Sequence, residues 1–245
     1  MIAFFDSGAG GLTVLKEAIK QMPYEQYLYY GDSLNAPYGI RPKEEIKKLV
    51  FKAVEFLATK DLKALVLACN TATSVAIKSL RATYNFPIIG MEPAVKLATK
   101  KKSKKKILVC ATDLTLKEEK LHQLIKHLNV KEQVESCSLQ ELVVLAEHFE
   151  FRSFNVYTYL IDTFSKIHWE EFDSIVLGCT HFIYYKKIIQ QIIPKKIKIL
   201  DGNEGTVRHL GNRISVVNDG ITKDIQYYVS GKQIYDDTFS KYLVL

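Results

Sequence analysis

Leu65-Val66-Leu67-Ala68-Cys69-Asn70-Thr71 is an apolar run that ends in a cysteine and two polar residues, and Ser174-Ile175-Val176-Leu177-Gly178-Cys179-Thr180-His181 repeats that arrangement later in the chain. Each run has the length of a buried strand and is followed by a helix-like pattern. The matching contexts predict two thiols at equivalent points of two similar units. Such a pair is suited to two-base proton transfer, in which one thiol removes a proton and the other supplies one.

The same alternation of strand, loop and helix extends outward from both runs. Residues 2–5 form a buried-type strand, Asp6-Ser7-Gly8-Ala9-Gly10-Gly11 is a glycine-rich turn, and a helix is predicted over about residues 43–59. The pattern restarts at Ile107-Leu108-Val109-Cys110-Ala111-Thr112. Because strands that alternate with helices form right-handed crossovers, we expect mainly parallel sheets with ligands at the carboxyl ends of the strands.

The spacing of these features supports an internal duplication. Asp6 lies 63 positions before Cys69, and Thr112 lies 67 positions before Cys179. We therefore expect an α/β fold with two similar lobes related by a pseudo-two-fold axis, each a mainly parallel sheet flanked by helices, and an active site between them.

The predicted lobes have discontinuous boundaries. Residues 1–95 together with 207–245 would form the first lobe, and residues 96–206 the second. The tail after residue 213 has little periodicity of its own, and we expect it to pack back on the first lobe.

Composition favours a globular cytoplasmic protein. The 245 residues are 47% hydrophobic, yet no apolar stretch reaches the roughly 18 residues that span a bilayer, and the chain opens without a basic leader. We expect no membrane partner. The four cysteines lack close pairing, so we expect reduced thiols and no disulfide framework.

A lysine tract dominates the net charge of +7. Six positive charges lie in Lys100-Lys101-Lys102-Ser103-Lys104-Lys105-Lys106, which leaves only +1 on the remaining residues. The tract is therefore interpreted as a solvated segment, and a nucleic-acid partner is not expected. An anionic partner for the tract stays open as an alternative.

The residues near the two thiols each have a catalytic and a structural interpretation. A helix start after Cys69 or Cys179 would lower the thiol pKa from about 8.5, whereas a lone cysteine usually acts as a small buried hydrophobe. Asp6 can activate Cys69 or cap the next helix, and His181 can hold a proton beside Cys179 or fill a structural place. Cys110 and Cys137 lack a polar helix start and are interpreted as structural. The spacing of cysteines and histidines predicts no metal site.

Five motifs, in the same order along the chain, together resemble the glutamate racemase family of cofactor-independent enzymes. They are Phe5-Asp6-Ser7-Gly8-Ala9-Gly10-Gly11, Tyr30-Gly31-Asp32-Ser33, Pro37-Tyr38-Gly39, Ala68-Cys69-Asn70-Thr71-Ala72 and Leu177-Gly178-Cys179-Thr180-His181-Phe182. The similarity runs from residue 2 to about residue 205.

The resemblance implies specific roles. Cys69 would take the α-proton of D-glutamate with help from Asp6, and Cys179 that of L-glutamate with help from His181. Glu147 matches an acidic active-site position, with an exposed helix carboxylate as the alternative. The implied substrate contacts are Asp6, Ser7, Tyr38, Gly39, Asn70, Thr71, Thr115, Thr180 and His181.

The resemblance also implies interconversion of L- and D-glutamate without pyridoxal phosphate or any other cofactor, supplying D-glutamate for peptidoglycan and hence for cell shape. A homodimer is compatible with it. Two alternatives remain: an aspartate racemase, which usually carries an acidic residue where His181 stands, and a non-catalytic basic protein that binds through the lysine tract.

Overall fold

The computed structural model describes residues 1–91, 94–99 and 103–245. The strands in chain order are β1 (Ile2–Asp6), β2 (Tyr27–Gly31), β3 (Ala64–Leu67), β4 (Ile88–Gly90), β5 (Lys106–Ala111), β6 (Val134–Ser138), β7 (Phe172–Leu177), β8 (Lys198–Asp201), β9 (Gln226–Val229) and β10 (Lys232–Ile234). The helices are α1 (Leu12–Gln21), α2 (Lys43–Ala58), α3 (Asn70–Thr83), α4 (Val95–Ala98), α5 (Asp113–Lys117), α6 (Glu119–His127), α7 (Glu141–Glu147), α8 (Phe154–Phe164), α9 (Lys186–Ile192), α10 (Asn203–Gly211) and α11 (Ser240–Leu243).

The strands form two sheets with the same internal order. The first runs β10-β9-β2-β1-β3-β4 and the second β6-β5-β7-β8. The shared order β2-β1-β3-β4 and β6-β5-β7-β8 is parallel throughout, β9 is parallel to β2, and β10 is antiparallel to β9. The predicted α/β fold with two parallel sheets is confirmed, and β3 and β7, which precede Cys69 and Cys179, are topologically equivalent.

The central strands are buried on both faces, as continuous apolar runs predict. Phe4 and Val66 pack on one side in a cluster with α1 and α10, whereas Phe5 and Leu65 pack on the other side in a cluster with α2 and α3. Every residue of β1 and β3 is buried. Since these strands are fixed from both faces, the side chains at their carboxyl ends are held in place.

The chain tail packs back on the first sheet, which confirms the expectation. β9 pairs in parallel with β2 along the edge of that sheet. The predicted division between residues 206 and 207 falls within α10, whose Val207 and Leu210 share an apolar cluster with Leu12 of α1. The exact lobe boundaries remain a prediction.

The lysine tract lies only partly within the described residues. Residues 100–102 lie outside them, Lys104 and Lys105 are exposed, and Lys106 pairs with Glu135 at 2.5 Å and Glu171 at 2.6 Å. In the described ranges, no helix combines the length and the apolar character that crossing a bilayer requires.

Candidate active site

The carboxyl ends of the two sheets meet, and hydrogen bonds join them. Asp6 at the end of β1 accepts from Thr180 Oγ1 at 3.2 Å, and the backbone N–H of Ala9 donates to Glu147 Oε1 at 2.7 Å. Asp6 ends β1 and Ala9 follows it, whereas Thr180 follows β7 and Glu147 ends α7, so both bonds join the first sheet's side to the second's. The turn after β1 is therefore held against the segment that follows β7.

Cys69 stands at the start of α3, as its sequence context predicts. Its sulfur accepts a hydrogen bond from the Ala72 N–H at 3.4 Å, and its thiol donates to Ser7 Oγ at 3.6 Å. Burial, and after it the charge of Asp6, raises the pKa of Cys69 to about 12. The predicted lowering of this pKa is therefore wrong, because desolvation outweighs the helix N–H. Cys69 is therefore a thiol near neutral pH.

Cys179 has a different environment. The residues after it form a 3₁₀ helix, Thr180–Tyr185, where the sequence pattern predicted an α-helix start. The Cys179 sulfur lies 3.7 Å from Nδ1 of His181. The second thiol therefore has an ionisable side chain as its partner, whereas the first has a helix amide.

His181 and Glu147 form a buried ion pair behind Cys179. His181 Nε2 lies 2.5 Å from Glu147 Oε1, and the side chains are 3% and 18% exposed. Burial lowers the pKa of His181, but the hydrogen bonds to Cys179 and Glu147 outweigh it and raise this pKa well above its usual range. For Glu147, burial instead raises the pKa, but the hydrogen bond and charge of His181 outweigh burial and leave the pKa below its ordinary value. Glu147 is thus no exposed helix carboxylate.

We expect Glu147→Gln to lower the free energy of unfolding by about 1–3 kcal/mol near pH 6, because a charged hydrogen bond is lost inside the protein. The lowered pKa of Glu147 means that its carboxylate stabilises the folded protein fully above pH 4.5, the ordinary pKa of glutamate. The raised pKa of His181 means that its imidazolium does so fully below pH 6.5. The stability difference between wild type and variant is therefore largest between these two pH values. The His181 contribution disappears as the pH rises through its folded pKa. Urea unfolding across this pH range measures the difference.

The matched control is Glu141→Gln, which changes an exposed carboxylate on the same helix and should alter stability by less than about 0.5 kcal/mol. NMR titration should also show that the pKa of His181 falls in Glu147→Gln. Burial disfavours the imidazolium, and the variant lacks the Glu147 carboxylate that offsets this effect. An unchanged His181 pKa would contradict the ion pair.

The Asp6 carboxylate bonds to groups at the junction of the two sheets and does not cap the helix that follows. Its carboxylate accepts from the Gly8 N–H at 2.9 Å and from Thr180, and burial raises its pKa. Within the described residues, no side chain caps α1, which begins after Gly11. The capping alternative for Asp6 is therefore wrong.

Three threonines form a hydroxyl cluster beside Cys69. Thr71 Oγ1 lies 3.2 Å from both Thr112 Oγ1 and Thr115 Oγ1, and Thr112 donates to Thr115 at 2.9 Å. Next to them, Asn70 Oδ1 is buried without a hydrogen-bond partner among the described residues. The cluster brings together Thr71 and Thr115, two of the implied substrate contacts, and includes Thr112, which follows β5 as Asp6 ends β1.

The loop that carries Tyr38 and Gly39 is anchored by a residue that the sequence analysis gave no role. Tyr38 Oη donates to Asp32 Oδ2 at 2.6 Å, and Ser230 Oγ donates to Asp32 Oδ1 at 2.7 Å. The Tyr38 hydroxyl is thus already bonded, while Gly39 contacts Thr112 across the lobes. Asp32 lies in a quoted motif, but nothing in the sequence links it to Ser230.

Short contacts connect the surroundings of the two thiols: Cys69 donates to Ser7 Oγ at 3.6 Å, and Thr180, next to Cys179, donates to the adjacent Asp6 at 3.2 Å. The charge of Cys179 is one cause that raises the pKa of Cys69, and the residues are only 8% and 6% exposed. Across the described parts of the chain, no group of three or more histidine, cysteine or carboxylate residues could hold a metal ion. Two nearly sealed thiols, each with its own polar partners, lie where the two sheets meet.

Comparison with known proteins places this cleft in a family. The family model for Asp/Glu/hydantoin racemases matches residues 7–210. The chain belongs to this family. Glutamate racemase of Halothermothrix orenii is 49% identical to this racemase over 237 residues, covering 95% of this chain and 93% of that protein.

Solved structures agree with this assignment. The racemase resembles glutamate racemase of Campylobacter jejuni with a TM-score of 0.85 and 28% identity, covering 100% of this chain and 98% of that one. It also resembles Escherichia coli glutamate racemase, solved with L-glutamate and the activator UDP-MurNAc-Ala, with a TM-score of 0.81 and 29% identity over 89% of this chain and 84% of that one. The protein is thus an amino-acid racemase, an isomerase, and the resemblance to glutamate racemases is confirmed.

Proposed function

We propose that this racemase interconverts L- and D-glutamate by proton transfer between Cys69 and Cys179, with no cofactor. The observation that carries the proposal is the placement of the two thiols after the equivalent strands β3 and β7, where Cys69 bonds Ser7 and Thr180, next to Cys179, bonds Asp6. Two bases on opposite sides of the α-carbon can remove a proton from one face while supplying one to the other. The relatives named glutamate racemase support the substrate.

In this mechanism Cys69 takes the α-proton of D-glutamate while Cys179 donates, and the roles exchange for L-glutamate. Asp6 assists Cys69, and His181 holds a proton beside Cys179 with Glu147 behind it. A bound substrate ammonium would offset the charge of Asp6, which is one cause of the raised pKa of Cys69. Near-exclusion of water from both thiols favours direct transfer.

The polar side chains around the thiols would hold the substrate. Ser7, Asn70 and Thr180 lie beside the cysteines, and the threonine cluster and Gly39 line the adjoining wall. Hydroxyl and amide donors stabilise negative charge that spreads onto the α-carboxylate as the proton leaves. The unpaired Asn70 Oδ1 suits the ammonium group.

The product would be D-glutamate for peptidoglycan synthesis, made in the cytoplasm by a monomer or a homodimer. Glutamate is the expected partner molecule, and neither a membrane nor a nucleic acid is needed.

Turnover of both candidate amino acids tests the substrate. We expect the purified protein to racemise L- and D-glutamate in buffer free of pyridoxal phosphate, followed by circular dichroism, and to act on aspartate at least about tenfold more slowly. Faster turnover of aspartate would overturn the substrate assignment. Absence of racemisation, together with salt-sensitive binding of an anionic polymer, would favour the basic binding protein.

A further inference from the structure

Gln140 presents an unsatisfied amide to the interface between the lobes. Its Nε2 and Oε1 atoms are both buried, and in the ranges that the structure describes neither has a hydrogen-bond partner. Burying an unpaired polar group costs stability, and such groups are rare in native proteins. Gln140 therefore requires an explanation that the neighbouring side chains do not supply.

The position of this amide places it at the cleft. A Cβ atom built on Gly39 would lie 2.4 Å from Gln140 Oε1 and 2.8 Å from Thr112 Cβ. Gly39 follows β2 in the first sheet, whereas Gln140 follows β6 in the second. Thr112 is also part of the threonine cluster that reaches Thr71, two residues after Cys69. The amide thus adjoins the wall of the site without contacting either thiol.

Different side chains near the thiols would contact different parts of the substrate. Ser7 and Thr180 lie beside the cysteines and can reach substituents on the reacting α-carbon. Gln140 adjoins Gly39 and Thr112 instead of the cysteines, and this position suits a group that is separated from the α-carbon by methylenes. A neutral amide donor can bind a carboxylate there without changing the charge near Cys69.

We propose that Gln140 Nε2 donates a hydrogen bond to the side-chain carboxylate of glutamate and contributes to selection of this substrate. The inference rests on the proposed function. The side-chain carboxylate keeps its charge throughout the reaction, so the contact is equally strong in the bound substrate and in the transition state. Removing it affects KM and leaves kcat nearly unchanged.

The test is steady-state kinetics of Gln140→Leu in both directions. We expect KM for L- and D-glutamate to rise about 10- to 100-fold, the usual effect of losing a hydrogen bond to a charged group, with kcat within about threefold of wild type. The melting temperature of the substrate-free variant should equal or exceed that of wild type, because leucine removes two unpaired buried polar atoms. Glu141→Gln, the exposed neighbour, should leave KM unchanged.

A second variant keeps the proposal testable if Gln140→Leu does not fold. Gln140→Asn keeps an amide but withdraws it by one methylene, and we expect a raised KM and normal folding. A twofold or smaller change of KM in both variants of an active enzyme, or a lower melting temperature with unchanged KM, would overturn the Gln140 contact alone. A wild-type protein that fails to racemise glutamate would overturn the proposed function, and the Gln140 contact with it.

Discussion

Cys69→Ser and Cys179→Ser should each reduce racemisation of glutamate by about 10²- to 10⁴-fold, the range that positioned acid–base groups contribute. Serine nearly matches cysteine in size, so the sheets that hold positions 69 and 179 should remain intact. Its hydroxyl is a far weaker acid than a thiol and cannot exchange the α-proton at neutral pH. Circular dichroism of the amino acid follows the loss in both directions.

Cys137→Ser is the matched control for these variants. Cys137 is partly exposed and lies on β6, away from the proposed proton path. We expect it to retain activity within about twofold of wild type. If Cys69→Ser or Cys179→Ser kept near-normal turnover in both directions, the assigned roles of the thiols would be wrong.

Gly10→Ala should lower kcat by about 10²-fold, because a small displacement of a reacting group has an effect of this size. A Cβ atom at position 10 would lie 2.5 Å from both His181 Nδ1 and Thr180 Oγ1, so one of these buried groups must move. The Glu147 contact restrains His181 from the other side of its ring. The methyl group would therefore shift Nδ1 relative to the Cys179 sulfur.

Gly205→Ala separates this local effect from a general effect of removing glycine. Apart from its chain neighbours and the backbone of its own helix α10, nothing among the described residues lies within 4 Å of a Cβ at position 205. We expect full activity and equal or slightly greater stability, since alanine favours helix more than glycine does. Wild-type kcat in a folded Gly10→Ala enzyme would contradict a role for the position of His181.

Much of the framework could be predicted because it depends on local patterns. The apolar runs before Cys69 and Cys179 predict buried strands, and the near-equal spacing of the two units anticipates the shared strand order. The carboxyl ends of parallel strands converge, so Asp6 and Cys69 could be placed in one cleft from order alone.

The remaining features depend on contacts between distant parts of the chain. Ser230 reaches Asp32 from a strand pair that is nearly 200 positions away, and no local pattern indicates this. The raised pKa of Cys69 reflects its burial in the folded protein and the charge of Asp6, which cannot be derived from a helix start. Gln140 has an ordinary surface-like sequence context, and only the folded structure shows that it lies next to Gly39, the position on which its proposed role rests.

The most direct measurement of two-base transfer is the early reaction of L-glutamate with wild-type enzyme in deuterium oxide. At a few per cent conversion, mass spectrometry of the separated enantiomers should find deuterium at the α-carbon of D-glutamate, while the remaining L-glutamate keeps its α-proton. D-glutamate as substrate should give the mirror result. Product that retains the original proton, or deuterium that enters the remaining substrate as fast as the product, would contradict a pair of thiols acting on opposite faces of one carbon.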